Sequence, residues 1–221
     1  MRVLGIDTST ATASIAIIDD TVILAEATHD TSGRRSTDLL VGIDALFTKL
    51  GVAPRDLDAV AVGAGPGSFT GLRIGMATAK GIAFAAGTPL WAVSSLAALA
   101  FAAKTIAAVL DARRGEVFAG CYRDRVLVGE ERVMAPTKLV SWVASQLGDD
   151  ACFIGDALAA YPELGPLPWQ AATPSGSSVA LLALTGPQID VLTSGGPTYV
   201  RASEAEIKYP DGVPGALRTK G

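Results

Sequence analysis

Residues 3–27 read VLGIDTSTATASIAIIDDTVILAEA. Three runs inside them, Val3–Asp7, Ala13–Asp19 and Val22–Ala27, are rich in apolar and β-branched residues, and Asp19-Asp20 supplies a turn between the last two. Such runs bounded by turn residues read as strands, so a three-stranded meander opens the chain. The same opening returns further on as Ile106–Leu110, Val117–Tyr122 and Arg125–Val133.

After each meander the hydrophobic period changes. Leu39, Leu40, Ile43, Leu46, Phe47 and Leu50 recur at helical spacing, with Ser36 as a cap and Gly51 as a stop. Leu57–Val62 then reads as a strand, 63–71 as a Gly-rich loop, and about Thr70 to Ala86 as a second helix ended by Gly87-Thr88-Pro89. Leu90–Val93 is a further strand, and Ser94 or Ser95 caps a third helix through Lys104. In the second half, Pro136 opens a helix to Leu147, Cys152–Gly155 is a strand, and Ser177–Leu184 is a final helix, with a Pro-rich loop between them. The expected organisation is an α/β chain with one lobe over 1–104, a second over 105–208 and a flexible tail at 209–221, where Pro210, Gly212, Pro214 and Gly215 leave little to pack. Three strands followed by alternating helices and strands, occurring twice, fit the duplicated lobes of the actin, Hsp70 and sugar-kinase superfamily. Fold class alone assigns no activity.

Composition narrows the classes. With 221 residues, 49% hydrophobic and 18% charged, the chain has ample material for a core. A net charge of -4 gives no overall attraction to a polyanion, so any nucleic-acid contact is expected to be local or indirect. Apolar stretches such as 81–90 fall short of the roughly 20 residues that a membrane span needs, and 1–6 lack a signal-peptide pattern, so the expected location is the cytoplasm without a membrane. Cys121 and Cys152 are expected to be reduced, buried thiols, and His29 is the single histidine.

Four segments carry a family resemblance: Gly5-Ile6-Asp7-Thr8-Ser9, Gly65-Pro66-Gly67-Ser68-Phe69-Thr70-Gly71-Leu72-Arg73, Asp111-Ala112-Arg113-Arg114-Gly115-Glu116-Val117 and Pro197-Thr198-Tyr199-Val200-Arg201. In this order they resemble the TsaB family, also called YeaZ, a paralogue of the catalytic TsaD. The resemblance implies a non-catalytic scaffold that pairs with a TsaD-like subunit and, with a TsaE-like ATPase, supports threonylcarbamoyl transfer to tRNA adenosine. One departure is Ser36-Thr37-Asp38, where the family often shows a His-Ser-Glu-like sequence. The tRNA would be met through the complex, and a homodimer is open when the partner is absent. No cofactor intrinsic to the chain is implied; ATP or ADP at the heteromeric interface is the cofactor left to test.

The chemistry agrees with a non-catalytic role. Aligned through Pro89 and Val93, the positions of the paralogue's His-x-x-x-His metal pair are Ser95 and Leu99, read as a capping serine and a core leucine, and a hydroxyl with an alkyl chain cannot replace two imidazoles. Two phosphate loops would need small residues, yet Ser9 stands where Gly is usual and Asp111-Ala112-Arg113-Arg114 lacks them. Asp7 and Thr8 remain weak cofactor candidates. The alternative is a small ATPase or kinase using Asp7 in the inter-lobe cleft, and a direct tRNA-binding module is a third class. Gly195-Gly196 reads as an ordinary turn, with an adenosine-loop remnant as the alternative.

The second long helix carries Gly71, Gly75, Ala79 and Ala83 at four-residue intervals, a groove admitting another helix. Periodicity alone leaves open whether that groove faces the monomer's own core or a partner; the resemblance assigns it to the partner. The expected contacts are Leu39, Ile43 and Leu46 on the first helix and Gly71, Leu72, Arg73, Gly75, Met76, Ala79 and Lys80 on the second.

Overall fold

The structure, a computed structural model, describes residues 1–30, 37–102, 104–165 and 168–200. The expected Ser36 cap and the tail at 209–221 lie outside these residues. In chain order the first half holds β1 (Arg2–Asp7), β2 (Thr12–Asp19), β3 (Val22–Asp30), α1 (Thr37–Leu50), β4 (Ala59–Gly63), α2 (Phe69–Ala86), β5 (Leu90–Val93) and α3 (Ser95–Leu99). The second holds β6 (Thr105–Arg113), β7 (Glu116–Arg123), β8 (Val126–Met134), α4 (Pro136–Leu147), β9 (Cys152–Gly155), α5 (Ala157–Ala160), β10 (Trp169–Ala171) and α6 (Gly176–Thr185).

Each half builds a five-stranded sheet, ordered β3-β2-β1-β4-β5 in one and β8-β7-β6-β9-β10 in the other. β1 pairs antiparallel with β2 and parallel with β4, and β6 pairs antiparallel with β7 and parallel with β9. The repeat read from the sequence is therefore a repeat of topology. It differs in scale: the counterpart of the 18-residue α2 is the four-residue α5.

Both faces of each central strand are covered, which is why Val3–Asp7 and Ile106–Leu110 read as apolar runs without strict alternation. Leu4 and Ile6 of β1 enter a core with Leu39, Ile43 and Leu46 of α1 and Met76, Ala79 and Ala83 of α2. Val3 faces the opposite way, into a cluster with Val179, Ala180 and Ala183 of α6. In the second sheet, Ala107 and Val109 meet Leu139 and Val143 of α4, while Ile106, Ala108 and Leu110 meet Leu96 and Leu99 of α3.

The final helices are thus exchanged. α3 closes the first repeat in sequence but packs on the second sheet, and α6 closes the second repeat but packs on the first. Both are apolar enough to join either core, so the expected division at residue 104 separates the repeats but does not follow the packing. Glycines permit the close seating of α6: a Cβ at Gly5 would lie 2.0 Å from the Gly176 carbonyl oxygen, and one at Gly176 would lie 2.6 Å from the Ala16 amide. A carboxylate from the partner sheet tethers each helix start, which is electrostatically favourable. Glu26 of β3 accepts from the Ser177 amide at 3.2 Å and hydroxyl at 3.0 Å, and Glu131 of β8 accepts from the hydroxyls of Ser94 and Tyr122. Burial and Glu131 together push the Tyr122 hydroxyl pKa upward.

The expected third helix through Lys104 is shorter, giving way to a 3-10 turn at Ala100–Ala102 before β6 begins. Within the Pro-rich stretch expected to be loop, the structure adds α5 and β10. Cys121 is buried, which raises its thiol pKa to about 12, whereas Cys152 is exposed rather than buried as expected.

Candidate functional site

The end of β1 is where a phosphate loop would lie. Asp7 is fully buried, and its carboxylate accepts from the Ser9 amide at 2.9 Å, the Ser9 hydroxyl at 2.6 Å and the Ser95 hydroxyl at 2.8 Å. Burial, the dominant influence, pushes this carboxyl above its ordinary range, although the three donors favour its charged form. A Cβ at Gly63 would stand 2.0 Å from Asp7 Oδ2, so only glycine fits at the end of β4. Ser95 therefore holds Asp7, and the cap of α3 is Ser94, whose hydroxyl accepts from the Ala97 amide at 3.1 Å. Leu99 is a core residue, 5% exposed.

The neighbouring loop closes over Thr8 and Ser9. The Ser68 amide donates to the Ser9 carbonyl at 2.7 Å, and a Cβ at Gly67 would lie 2.5 Å from Ser9 Cβ. Ser68 also caps α2 by accepting from the Gly71 amide at 3.3 Å. The Gly-rich loop seats α2 beside the end of β1, and the amides of Ala64 and Ser68 are bonded to the Val93 and Ser9 carbonyls. The Thr8 hydroxyl donates to the Gly71 carbonyl at 2.7 Å.

The matching position in the second sheet is built differently. Asp111 accepts from the Arg113 amide at 2.7 Å and the Tyr161 hydroxyl at 3.2 Å, and Arg113 pairs with it at 3.2 Å. Arg113 and Arg114 both have positive φ, 62° and 57°, which turns the chain tightly between β6 and β7. The Asp111 amide donates to Asp156 at 2.9 Å, and burial raises the Asp156 carboxyl pKa. Among the described residues no three His, Cys, Asp or Glu side chains are grouped to hold a metal ion.

α2 presents two unlike faces. Its inner face holds Leu72, Gly75, Met76, Ala79 and Ala83, all buried. A Cβ at Gly75 would be 2.2 Å from Thr8 Oγ1, and one at Gly71 would be 2.0 Å from the Thr8 carbonyl oxygen. The small-residue groove expected for a partner therefore receives, at Gly71 and Gly75, the monomer's own Thr8 just past the end of β1. Leu39, Ile43 and Leu46 are likewise core residues, so of the expected contacts only Arg73 is exposed, with Gly71 and Lys80 intermediate. Arg73 and Lys80, seven residues apart on α2, are each bonded within the chain. Arg73 donates to the Tyr199 hydroxyl at 3.2 Å and Lys80 to the Gly195 carbonyl at 2.6 Å. The turn lies at 192–194, just before the expected Gly195-Gly196, and is closed by the Gly195 amide bonded to the Val191 carbonyl at 2.7 Å.

The outer face has its own small residues, Ala77, Gly81 and Ala85, in line with Arg73. With Ile74, Thr78 and Ile82 of α2, Leu40 of α1 and Pro54 they line an open groove of about 630 Å³. Val41 of α1 is 67% exposed and Phe84 of α2 is 79% exposed. The sequence signal for this stripe was present, at the same four-residue spacing as the inner one.

Comparison with known proteins matches this architecture. A family model described as tRNA N6-adenosine threonylcarbamoyltransferase, TsaD, matches residues 29–185. The TsaB protein of Bacillus subtilis, named for tRNA threonylcarbamoyladenosine biosynthesis, is 31% identical over 95% of this chain and 98% of its own. The chain belongs to the TsaB family of tRNA threonylcarbamoyladenosine biosynthesis proteins. YeaZ from Pseudomonas aeruginosa has the same fold, with a TM-score of 0.76 and 30% identity over 90% of this chain and 99% of that one. The activator of 2-hydroxyisocaproyl-CoA dehydratase from Clostridium difficile shares the fold alone, with a TM-score of 0.51 and 12% identity over 83% of this chain and 94% of that one. That neighbour's structure has bound ADPNP. Among the described residues no helix is long and apolar enough to cross a membrane.

Proposed function

We propose that this chain is a non-catalytic scaffold subunit of a cytoplasmic tRNA threonylcarbamoyladenosine complex, pairing with a TsaD-like paralogue through the outer faces of α1 and α2. The observation that carries this reading is the open apolar groove between those helices, which also expose Val41 and Phe84. A contiguous apolar surface of this kind is costly in water and is the usual mark of a protein contact. Ala77, Gly81 and Ala85 keep side chains short along it, so another helix axis can come close. A TsaE-like ATPase joins the assembled pair, and tRNA is reached through the complex. In the partner's absence a second copy of this chain occupies the same face.

The non-catalytic assignment draws support from the β1 end, where Asp7 is held by Ser9 and Ser95 and the loop amide of Ser68 is committed to Ser9. No cofactor is assigned to the chain alone; ATP or ADP belongs at the heteromeric interface.

The test is co-purification with the TsaD-like protein of the same organism, followed by reconstituted tRNA modification with each subunit omitted. Gly81→Arg is the informative variant, because nothing lies within 4 Å of the Cβ that it would add. It should leave the melting temperature unchanged or slightly raised, as helix propensity favours, and abolish pairing. Full modification without this chain, or ATP turnover by the isolated chain that disappears in Asp7→Ala, would defeat the proposal.

A further inference from the structure

Among the described residues, Arg73 is the sole charged one lining the α1–α2 groove. Its position is already fixed in the free subunit: the guanidinium carbon lies 3.9 Å from the centre of the Phe69 ring, and Nε donates to the Tyr199 hydroxyl at 3.2 Å. Phe69 and Tyr199 themselves pack at 5.3 Å between ring centres. Tyr199 is anchored in turn, since the neighbouring Thr198 amide donates to the Ala64 carbonyl at 2.7 Å. Among the described residues, no salt bridge involves Arg73. Its two terminal nitrogens make no hydrogen bond there either, leaving a donor fork at the edge of an apolar surface.

A guanidinium fork matches a carboxylate in two parallel bonds. Holding it in place beforehand removes much of the side-chain ordering cost that a free arginine would incur on binding. A polyanion is a poor match, since nucleic-acid binding needs several phosphate contacts and the other lining residues are uncharged. We infer that the helix seated in the groove belongs to the TsaD-like subunit and presents one Asp or Glu carboxylate to Arg73, with apolar residues along the rest of its contact face. Tyr199 acts as a positioning residue for that pair. The inference rests on the proposed use of the α1–α2 face.

The experiment measures the affinity of the purified chain for the TsaD-like protein by titration calorimetry, with thermal melts to confirm folding. Arg73→Glu places two carboxylates together and should weaken binding about 100-fold, whereas Arg73→Lys, which keeps the charge but loses the fork, should weaken it less. Replacing the matching Asp or Glu of the partner by Lys should restore much of the affinity of Arg73→Glu. Tyr199→Phe should weaken binding a few-fold and have no further effect in an Arg73→Met background. Three results would overturn the assignment. One is Arg73→Glu binding as tightly as wild type while Gly81→Arg does not, which leaves the face in use but without a carboxylate. Another is loss of self-association alone in Arg73→Glu, which assigns the pair to a second copy. The third is wild-type affinity in Gly81→Arg, which removes the interface reading itself.

Discussion

The two faces of α2 carry almost the same pattern and do opposite things. Gly71, Gly75, Ala79 and Ala83 run down the inner side, and Ala77, Gly81 and Ala85 run down the outer side at the same interval. Inside, a Cβ at Gly75 would meet Thr8 Oγ1 at 2.2 Å; outside, one at Gly81 would meet nothing within 4 Å. Small residues on a helix thus record that something comes close or that nothing has yet arrived. Spacing does not tell these apart, and the space around the missing side chain does.

The largest test of this contrast is Gly75→Leu. The added side chain has no room beside Thr8, and overpacking of about 1–3 kcal/mol is a lower guide where the obstacle is a buried strand end. The expected outcome is a protein with strongly reduced denaturant midpoint or none that folds, and a folded Gly75→Leu with unchanged stability would refute the inward assignment. Thr8→Val keeps the shape but removes the donor to the Gly71 carbonyl, so a loss of about 1–2 kcal/mol in chemical denaturation is expected. A stability change near zero there would mean that the contact is steric only.

Asp7, next to that contact, gives a pH dependence. Its folded pKa is raised, so the native state holds the proton more tightly than the unfolded chain. The stability it contributes is therefore fully present below the unfolded carboxylate value of about 4 and is lost as pH rises through the folded value. Stability of the wild type relative to Asp7→Asn should fall across that window, and melting curves showing a parallel pH dependence for both proteins would sink the idea. The smallest expected effect has the opposite sign. Gly81→Ala should stabilise the monomer by about 0.5–1 kcal/mol, because an exposed helical glycine gains propensity without a clash.

Much of the fold was legible because most elements are long enough to show their period. The meanders, α1, α2 and α4 were placed within a few residues, and among the described residues β10, α5 and the short 3-10 turns at Pro54–Asp56 and Pro162–Leu164 were missed. Those are three and four residues long and sit among prolines, where a period cannot develop. The exchange of α3 and α6 was not legible at all. The nearly all-apolar sequence of α6 shows that it needs cover, but it does not say which sheet supplies it. The site was readable in its residues and not in its orientation. Asp7, Ser9 and Ser95 were each singled out, but the bond between Asp7 and Ser95 spans 88 positions and needs the sheet to bring its ends together. Phe69 and Tyr199 lay within the quoted motifs, yet their contact with Arg73 depends on the chain returning across α2.

The exchanged helices also bear on how the protein is made. Chains emerge N-terminal end first at about 5–20 residues per second. The first sheet can form its strands early, but the side bearing Val3, Ile18, Ala59 and Ala61 waits for α6, the last helix described. Until Gly176–Thr185 has left the ribosome, that surface is bare in a nascent chain whose other face is already covered by α1 and α2. Completion of the first lobe is thereby tied to synthesis of the second.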